Sequence, residues 1–181
     1  MTLTSDGGVR LRGLRAEDAD GPYLRWMNDP EVTRFLESRF YPATPDGLRR
    51  FLASATADGK SVPFAIVTTD GDRHIGNIKI GGIDWIHRAA DVGLLIGEKD
   101  CWGKGYGTSA IRLATQYAFD VLNLRRAFAG IYAPNTGCIR AFEKAGYCRE
   151  GVKRRHYFCE GEYVDGVMLG VLRDEFLGDH R

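Results

Sequence analysis

The residues best placed to do chemistry lie in one stretch, from Asp91 to Thr108. An apolar run, Val92 to Ile96, leads to Gly103-Lys104-Gly105-Tyr106-Gly107-Thr108. That turn opens an amphipathic segment with Ile111, Ala114, Ala118 and Val121 on one helical face. Glycines at alternate positions allow φ > 0 and let the backbone approach a ligand without Cβ interference. Free N–H groups and the dipole at a helix start favour an anion, typically a phosphate. The spacing is not that of a Walker A loop, and no G-x-G-x-x-G in a parallel β-α-β unit marks a dinucleotide fingerprint. What remains is anion binding by backbone at a strand-to-helix turn.

Around this stretch the pattern predicts an α+β chain. Val9 to Leu14 alternates as a half-buried strand, and Asp18–Met27 and Glu31–Leu36 carry apolar residues at helical spacing around the Asn28-Asp29-Pro30 break. A helix runs from Pro45 to about Ala57 with Leu48, Phe51 and Leu52 on one face. Strands Pro63–Thr69 and His74–Ile83 meet at Asp70-Gly71, and Ala89–Ile96 continues the meander. After the glycine-rich turn and its helix come a strand, Leu124–Tyr132, and a helix, Asn135–Lys144, with Gly146 at its C-terminal cap. A hairpin, Arg149–Phe158 and Tyr163–Leu172, turns at Glu160-Gly161.

With 181 residues and no linker or repeat, the chain reads as one domain over 1–181. Its 25 Lys and Arg against 24 Asp and Glu give a net charge of +1, which offers no electrostatic case for a nucleic-acid partner. The N-terminus lacks a basic and apolar leader, and no apolar stretch approaches the ~20 residues that span a bilayer, so no membrane partner is expected. Cys101, Cys138, Cys148 and Cys159 form no C-x-x-C pair and no zinc-site pattern, which reads as reduced thiols in a cytoplasmic protein with no metal. Glycine is the outlier: 23 of 181 is about 13%, near twice the usual ~7%.

Trp102-Gly103-Lys104-Gly105-Tyr106-Gly107 resembles the pyrophosphate loop of the GNAT acyl-CoA N-acyltransferase superfamily, Gln/Arg-x-x-Gly-x-Gly/Ala. Asn135 to Tyr147 is similar to the later Asn…Lys-x-Gly-Phe motif of the same enzymes, in the expected order and joined by the expected strand. The resemblance covers roughly residues 8 to 175 and is nearest the branch holding ribosomal-protein N-terminal, spermidine and nucleotide-amino-sugar acetyltransferases. It implies a GNAT fold: a mixed, mostly antiparallel central sheet with splayed middle strands, flanked by helices. It implies acetyl-CoA as co-substrate, with the pyrophosphate on Trp102, Gly103, Lys104, Gly105, Tyr106, Gly107 and Thr108. The pantetheine would pair with Leu94, Leu95 and Ile96, with Gly93 at a bulge and a free N–H near Leu95 facing the thioester oxygen; Asn135 would contact the pantetheine, and the helix after it, with Phe142, would line the thiol end. A homodimer is in keeping with the family.

Two positions depart from the family pattern. Trp102 stands where Gln or Arg is usual, and Phe142 stands where many members carry the tyrosine that protonates the departing thiolate. Tyr132 and Cys138 are candidate substitutes, unless the thiolate leaves unaided. For the base, Asp91 aligns with the glutamate of relatives, its plainer role being an ion pair with Arg88; His87, with a reference pKa near 6.5, is the other candidate. The acceptor is a small-molecule amine. The insert Arg34 to Pro42, with one Glu between two Arg, disfavours a polycation. Trp26, Phe35, Phe40, Tyr41, Trp85, Arg39 and Lys79 could supply stacking and phosphate contacts for a nucleotide-linked amino sugar. A protein α-amine, a polyamine, a non-catalytic acyl-CoA-binding module and a phosphate-loop nucleotide binder are the alternatives.

Overall fold

The computed structural model describes residues 2–4, 7–54 and 57–178. Ala55 and Thr56 of the third predicted helix, and Met1, Ser5 and Asp6 of the N-terminus, lie outside the described residues. An eight-stranded sheet runs through the molecule in the order β1-β2-β3-β4-β5-β6-β8-β7. Its strands are β1 (Thr2–Thr4), β2 (Val9–Gly13), β3 (Val62–Thr68), β4 (His74–Asp84), β5 (Ala89–Ile96), β6 (Arg126–Tyr132), β7 (Cys148–Cys159) and β8 (Glu162–Leu172). Every neighbouring pair is antiparallel except β5 and β6, which are parallel.

Helices α1 (Pro22–Met27), α2 (Pro30–Thr33) and α3 (Pro45–Ser54) form the insert after β2; α4 (Tyr106–Asp120), α5 (Thr136–Lys144) and α6 (Arg173–Gly178) follow later. The predicted Asp18–Met27 helix is broken into a 3-10 turn, Ala16–Asp20, and α1. Pro22 is the cause: it disfavours helical geometry at the residue before it, and Gly21 is extended at φ −90° and ψ −155°. Likewise α2 ends at Thr33, short of the expected Leu36. Neither β1 nor α6 is in the predicted pattern, being too short to show a period.

The main core lies between α4, α5 and one face of the sheet, where Val92, Ile111, Ala114, Ala118, Ala129 and Phe142 are buried together. Val121, predicted on the same helical face, is instead the exposed cap residue of α4, because the helix ends at Asp120. A second cluster, Ala19, Tyr23, Trp26, Val32 and Leu48, joins the insert to Leu95 on the opposite sheet face. The alternation along β5 therefore sends Leu94 and Ile96 to the main core and Leu95 to the insert. Phe51, predicted on the buried face of α3, is half exposed. Among the described residues, no helix is long and apolar enough to cross a membrane.

Candidate active site

The opening in the sheet follows from strand register. β5 and β6 pair only through Ala89–Asp91 and Arg126–Phe128. Beyond Asp91 and Phe128 the strands continue to Ile96 and Tyr132 unpaired with one another, which leaves a V-shaped cleft with its apex at Asp91.

The cleft edge of β5 can be read from the β4 ladder. Gly97 N–H donates to Ile75 O at 2.8 Å. In an antiparallel pair the hydrogen-bonded positions alternate, so Leu95, Gly93 and Asp91 turn their backbone groups toward β4. Val92, Leu94 and Ile96 turn theirs toward the cleft. The free N–H expected near Leu95 thus belongs to Leu94. The bulge expected at Gly93 is likewise absent, since Gly93 stands in register with Lys79 and the irregularity falls between Gly81 and Asp84.

At the mouth, a short turn, Lys99–Cys101, leads to the glycine-rich loop. Gly103 and Gly105 have φ of +73° and +84°, a region L side chains rarely adopt, and Gly105 is the N-cap of α4 with no side chain to satisfy the first-turn N–H groups. Gly107 serves packing: a Cβ there would lie 3.3 Å from Leu94, so its absence lets α4 sit close on β5. Tyr106 turns its ring inward against the core and offers the loop only its backbone, while Lys104 is exposed and Thr108 half-buried in the first turn. Trp102 Nε1 donates to Ile96 O at 2.9 Å, occupying the last cleft-facing carbonyl of β5.

At the apex stands the half-buried carboxylate of Asp91, with no ion pair or hydrogen bond of its own among the described residues. Arg88, its expected partner, instead donates to Asn123 O and Oδ1, each at 2.7 Å. Burial pushes the Asp91 pKa up; Lys79 opposes this and Glu37 adds to it. His87 lies in the exposed turn between β4 and β5, its N–H on Asp84 Oδ1, at the far end of β5 from the cleft. The structure does not bring it to Asp91.

Asn135 caps α5, its Oδ1 accepting from Cys138 N–H at 3.3 Å. Phe142 is 1% exposed and packs edge-on against Tyr147 at 4.9 Å, inside the core rather than on the cleft surface. Cys138 is half-buried, and desolvation pushes its thiol up to about 12.

Beneath the insert, on the sheet face that carries Asp91, Gly93 and Leu95, lies a cavity of about 550 Å³. Its lining includes Tyr23, Leu36, Tyr41, Phe51, Asn77 and Lys79, and it contains no carboxylate. Asn77 is buried; its Oδ1 meets His74 Nε2 at 2.9 Å, whereas its Nδ2, beside the Tyr23 hydroxyl, is outside hydrogen-bond geometry and without a partner. Trp26 and Trp85 do not line this cavity. Trp26 is core, with Nε1 on Glu98 Oε1 at 2.8 Å, and Trp85 sits in the β4–β5 turn, bonded to Gly59 O. Arg39 is spent on Leu36 O, Tyr132 Oη and Phe158 O, tying the insert to the terminal hairpin.

One apex residue escaped the sequence reading. Tyr157 of β7 stacks on Tyr132 with ring centroids 4.1 Å apart and lies within electrostatic reach of Asp91 and Glu37. Its signal was a pair of glycines within strands, Gly130 and Gly166, where such residues mark a close approach.

The acetyltransferase (GNAT) domain family matches residues 9–148. An uncharacterized N-acetyltransferase, p20, of Bacillus licheniformis is 28% identical over 172 residues, covering 94% of this chain and 96% of that protein. Spermidine N(1)-acetyltransferase of Escherichia coli strain K12 is 28% identical over 183 residues, covering 99% and 94%. Among solved structures, spermidine N-acetyltransferase from Vibrio cholerae, in complex with CoA and spermine, superposes with a TM-score of 0.86 at 23% identity, covering 95% of this chain and 99% of that one.

Proposed function

The chain belongs to the GNAT acetyltransferase family, and from that premise we propose that it moves an acetyl group from acetyl-CoA to a primary amine on a small acceptor. The amides at the start of α4 suit the pyrophosphate, and the cleft edge at Val92 and Leu94 suits the pantetheine, with Asn135 beyond it. As the amine attacks the thioester, the carbonyl oxygen gains charge, and Leu94 N–H is the cleft-facing donor to receive it. A free alkyl amine with a pKa near 10.4 arrives mostly as ammonium. Asp91 takes its proton; burial raises the carboxyl pKa above its ordinary value, which makes the carboxylate a stronger base.

For the acceptor, we favour an amino sugar carried on a nucleotide. The observation behind this is the few polar groups of an otherwise mostly apolar cavity: an orphaned donor on Asn77, a cation at Lys79, and no carboxylate in the lining. Such a lining wants hydrogen-bond acceptors, which hydroxyls and phosphates supply and a protonated polyamine lacks. Asp91 and Glu37 at the apex are enough for one ammonium. The second reading is a polyamine acceptor, supported by the relatives named for spermidine. The proposed setting is the cytoplasm, with a homodimer as the proposed assembly.

Amine-dependent release of CoA thiol, measured over UDP- and dTDP-linked amino sugars, spermidine, spermine and peptide α-amines, tests the reading. Turnover with at least one amine is expected. Tight acetyl-CoA binding with no turnover on any amine would favour a non-catalytic module.

A further inference from the structure

We propose that Tyr157 is the general acid that protonates the departing CoA thiolate, replacing the proton donor that Phe142 cannot be. The proposal rests on the acetyl-transfer reading above. Its basis is the path the side chain takes. β7 is displaced from regular register between Lys153 and Tyr157, and the strand re-pairs at Tyr157 with Val164. From there the ring reaches across β8 at Gly166, where a Cβ would lie 2.8 Å from its Cε2. The hydroxyl arrives over β6 at Gly130, where a Cβ would lie 2.7 Å from Oη. Gly166 and Gly130 thus clear a track that ends on β6 beyond Phe128, where β6 no longer pairs with β5. Gly130 is two residues past the apex, on the same sheet face as Tyr132, which stacks under the ring.

The other proton carriers near the cleft are engaged or unsuited. Tyr147 Oη is bonded to Thr115 Oγ1 at 2.7 Å within the core. The Cys138 thiol is a weak acid in an apolar setting. Tyr132 Oη accepts from Arg39 at 3.2 Å, held toward the insert. Tyr157 Oη has no hydrogen-bond partner among the described residues and is half-buried. The charged and titratable groups that face it are Glu37 from the insert, Asp91 from β5, Tyr132 from β6 and, on its own strand, His156, whose ring packs edge-on against it at 4.7 Å. Burial, followed by Glu37, Tyr132 and Asp91, holds its pKa above the usual tyrosine value, so it carries its proton at neutral pH.

The step balances. Asp91 first passes the ammonium proton to solvent; the neutral amine nitrogen then forms the C–N bond and gives its second proton to Asp91, while the C–S pair goes to sulfur, which takes the Tyr157 proton. The Asp91 proton then returns to the tyrosinate through solvent, leaving amide, CoA thiol and the enzyme as it began.

Two variants remove the acid in different ways. Tyr157→Phe keeps the ring and its stack, and Gly130→Ala keeps the hydroxyl but displaces it. Both are expected to lower kcat roughly 100-fold, with KM for acetyl-CoA and amine within about twofold of the parent. The acidic limb of the pH–rate profile, which belongs to Asp91, stays where it was. Adding Phe142→Tyr to Tyr157→Phe is expected to leave kcat low, because the ring at 142 is held in the core and does not reach the cleft. A Tyr157→Phe enzyme that binds acetyl-CoA normally and turns over within about threefold of the parent would overturn the assignment. No amine-dependent thiol release by the parent chain itself would overturn the acetyl-transfer reading and this assignment together.

Discussion

Trp102 Nε1 donates a 2.9 Å hydrogen bond to Ile96 O, so the side chain that begins the glycine-rich loop is tied to the last residue of β5. The two halves of the proposed acetyl-CoA site, loop and cleft edge, are held together by that bond and by the seating of Gly107 on Leu94. A neutral hydrogen bond contributes about 1 kcal/mol. Trp102→Phe is expected to raise KM for acetyl-CoA roughly five- to tenfold while leaving kcat close to the parent value. Steady-state kinetics at saturating amine will show it, and a fall in kcat at constant KM would place Trp102 in the chemical step instead.

Gly97 fixes the other side of the loop. Trp26 lies directly against it, and any Cβ there would overlap the indole ring. The same indole is anchored by Glu98, which also receives Arg25 and Arg73. Gly97→Ala must push Trp26 out of the insert cluster, at a cost of about 1–3 kcal/mol. A thermal melt should therefore drop by roughly 2–4 °C for each kcal/mol in a chain of this size. An unchanged melting temperature would mean that the insert is not seated through Trp26.

How much of this was legible beforehand depended on how local the cause was. The loop was readable because Gly103, Gly105 and Gly107 sit beside one another in sequence, and β5 because its alternation is continuous. Asp91 was singled out through the resemblance to relatives, and the register of β5 with β6 places it at the cleft apex. Tyr157, Glu37 and Lys79 converge on the apex from three separate elements, and no local pattern joins them. Phe142 illustrates the reverse case: the motif pointed to the thiol end, but helical phase turns its ring into the core. Glycine composition misled in part. Gly97, Gly130 and Gly166 are neither turns nor ligand contacts; each clears space for an aromatic ring.

Asp91 ties rate and stability to pH in opposite senses. As the proposed base it would work ionised, so the rate is expected to rise with pH through its raised folded pKa. Asp91→Asn removes that limb and slows the reaction roughly 100-fold near neutrality. The deficit closes as pH approaches the acceptor amine's own pKa, above which the neutral amine needs no base. For stability, a carboxyl whose folded pKa lies above its unfolded value binds more protons folded than unfolded in that window. Stability then falls as pH rises through it. Asp91→Asn should consequently melt higher than the parent at pH 7, and a lower melting point would contradict the burial assigned to the carboxylate.

The Arg12–Asp18–His74 group makes the fold acid-sensitive. Burial raises the Asp18 pKa, but hydrogen bonds from Arg12 and from Arg15 N–H outweigh it and hold the carboxyl below its ordinary value. Its contribution is present above about 3.8 and is lost as pH falls through the folded pKa. Burial lowers His74, against the opposing effect of Asn77 and Asp18, so its contribution is complete above about 6.5 and declines below it. Melting temperature should fall in both windows on acidification. His74→Gln should flatten the decline just below 6.5 and leave the steeper one near 3.8 in place.

The most direct measurement compares kcat/KM for a UDP-linked amino sugar with that for spermidine, by CoA thiol release at the same pH and salt. With Asn77 Nδ2 unpartnered and Lys79 the one charged side chain in the cavity lining, the amino sugar is expected to be the better acceptor by at least about tenfold. Spermidine turning over equally well or better would contradict the acceptor assignment, and turnover with neither nor with any other amine would contradict acetyl transfer itself.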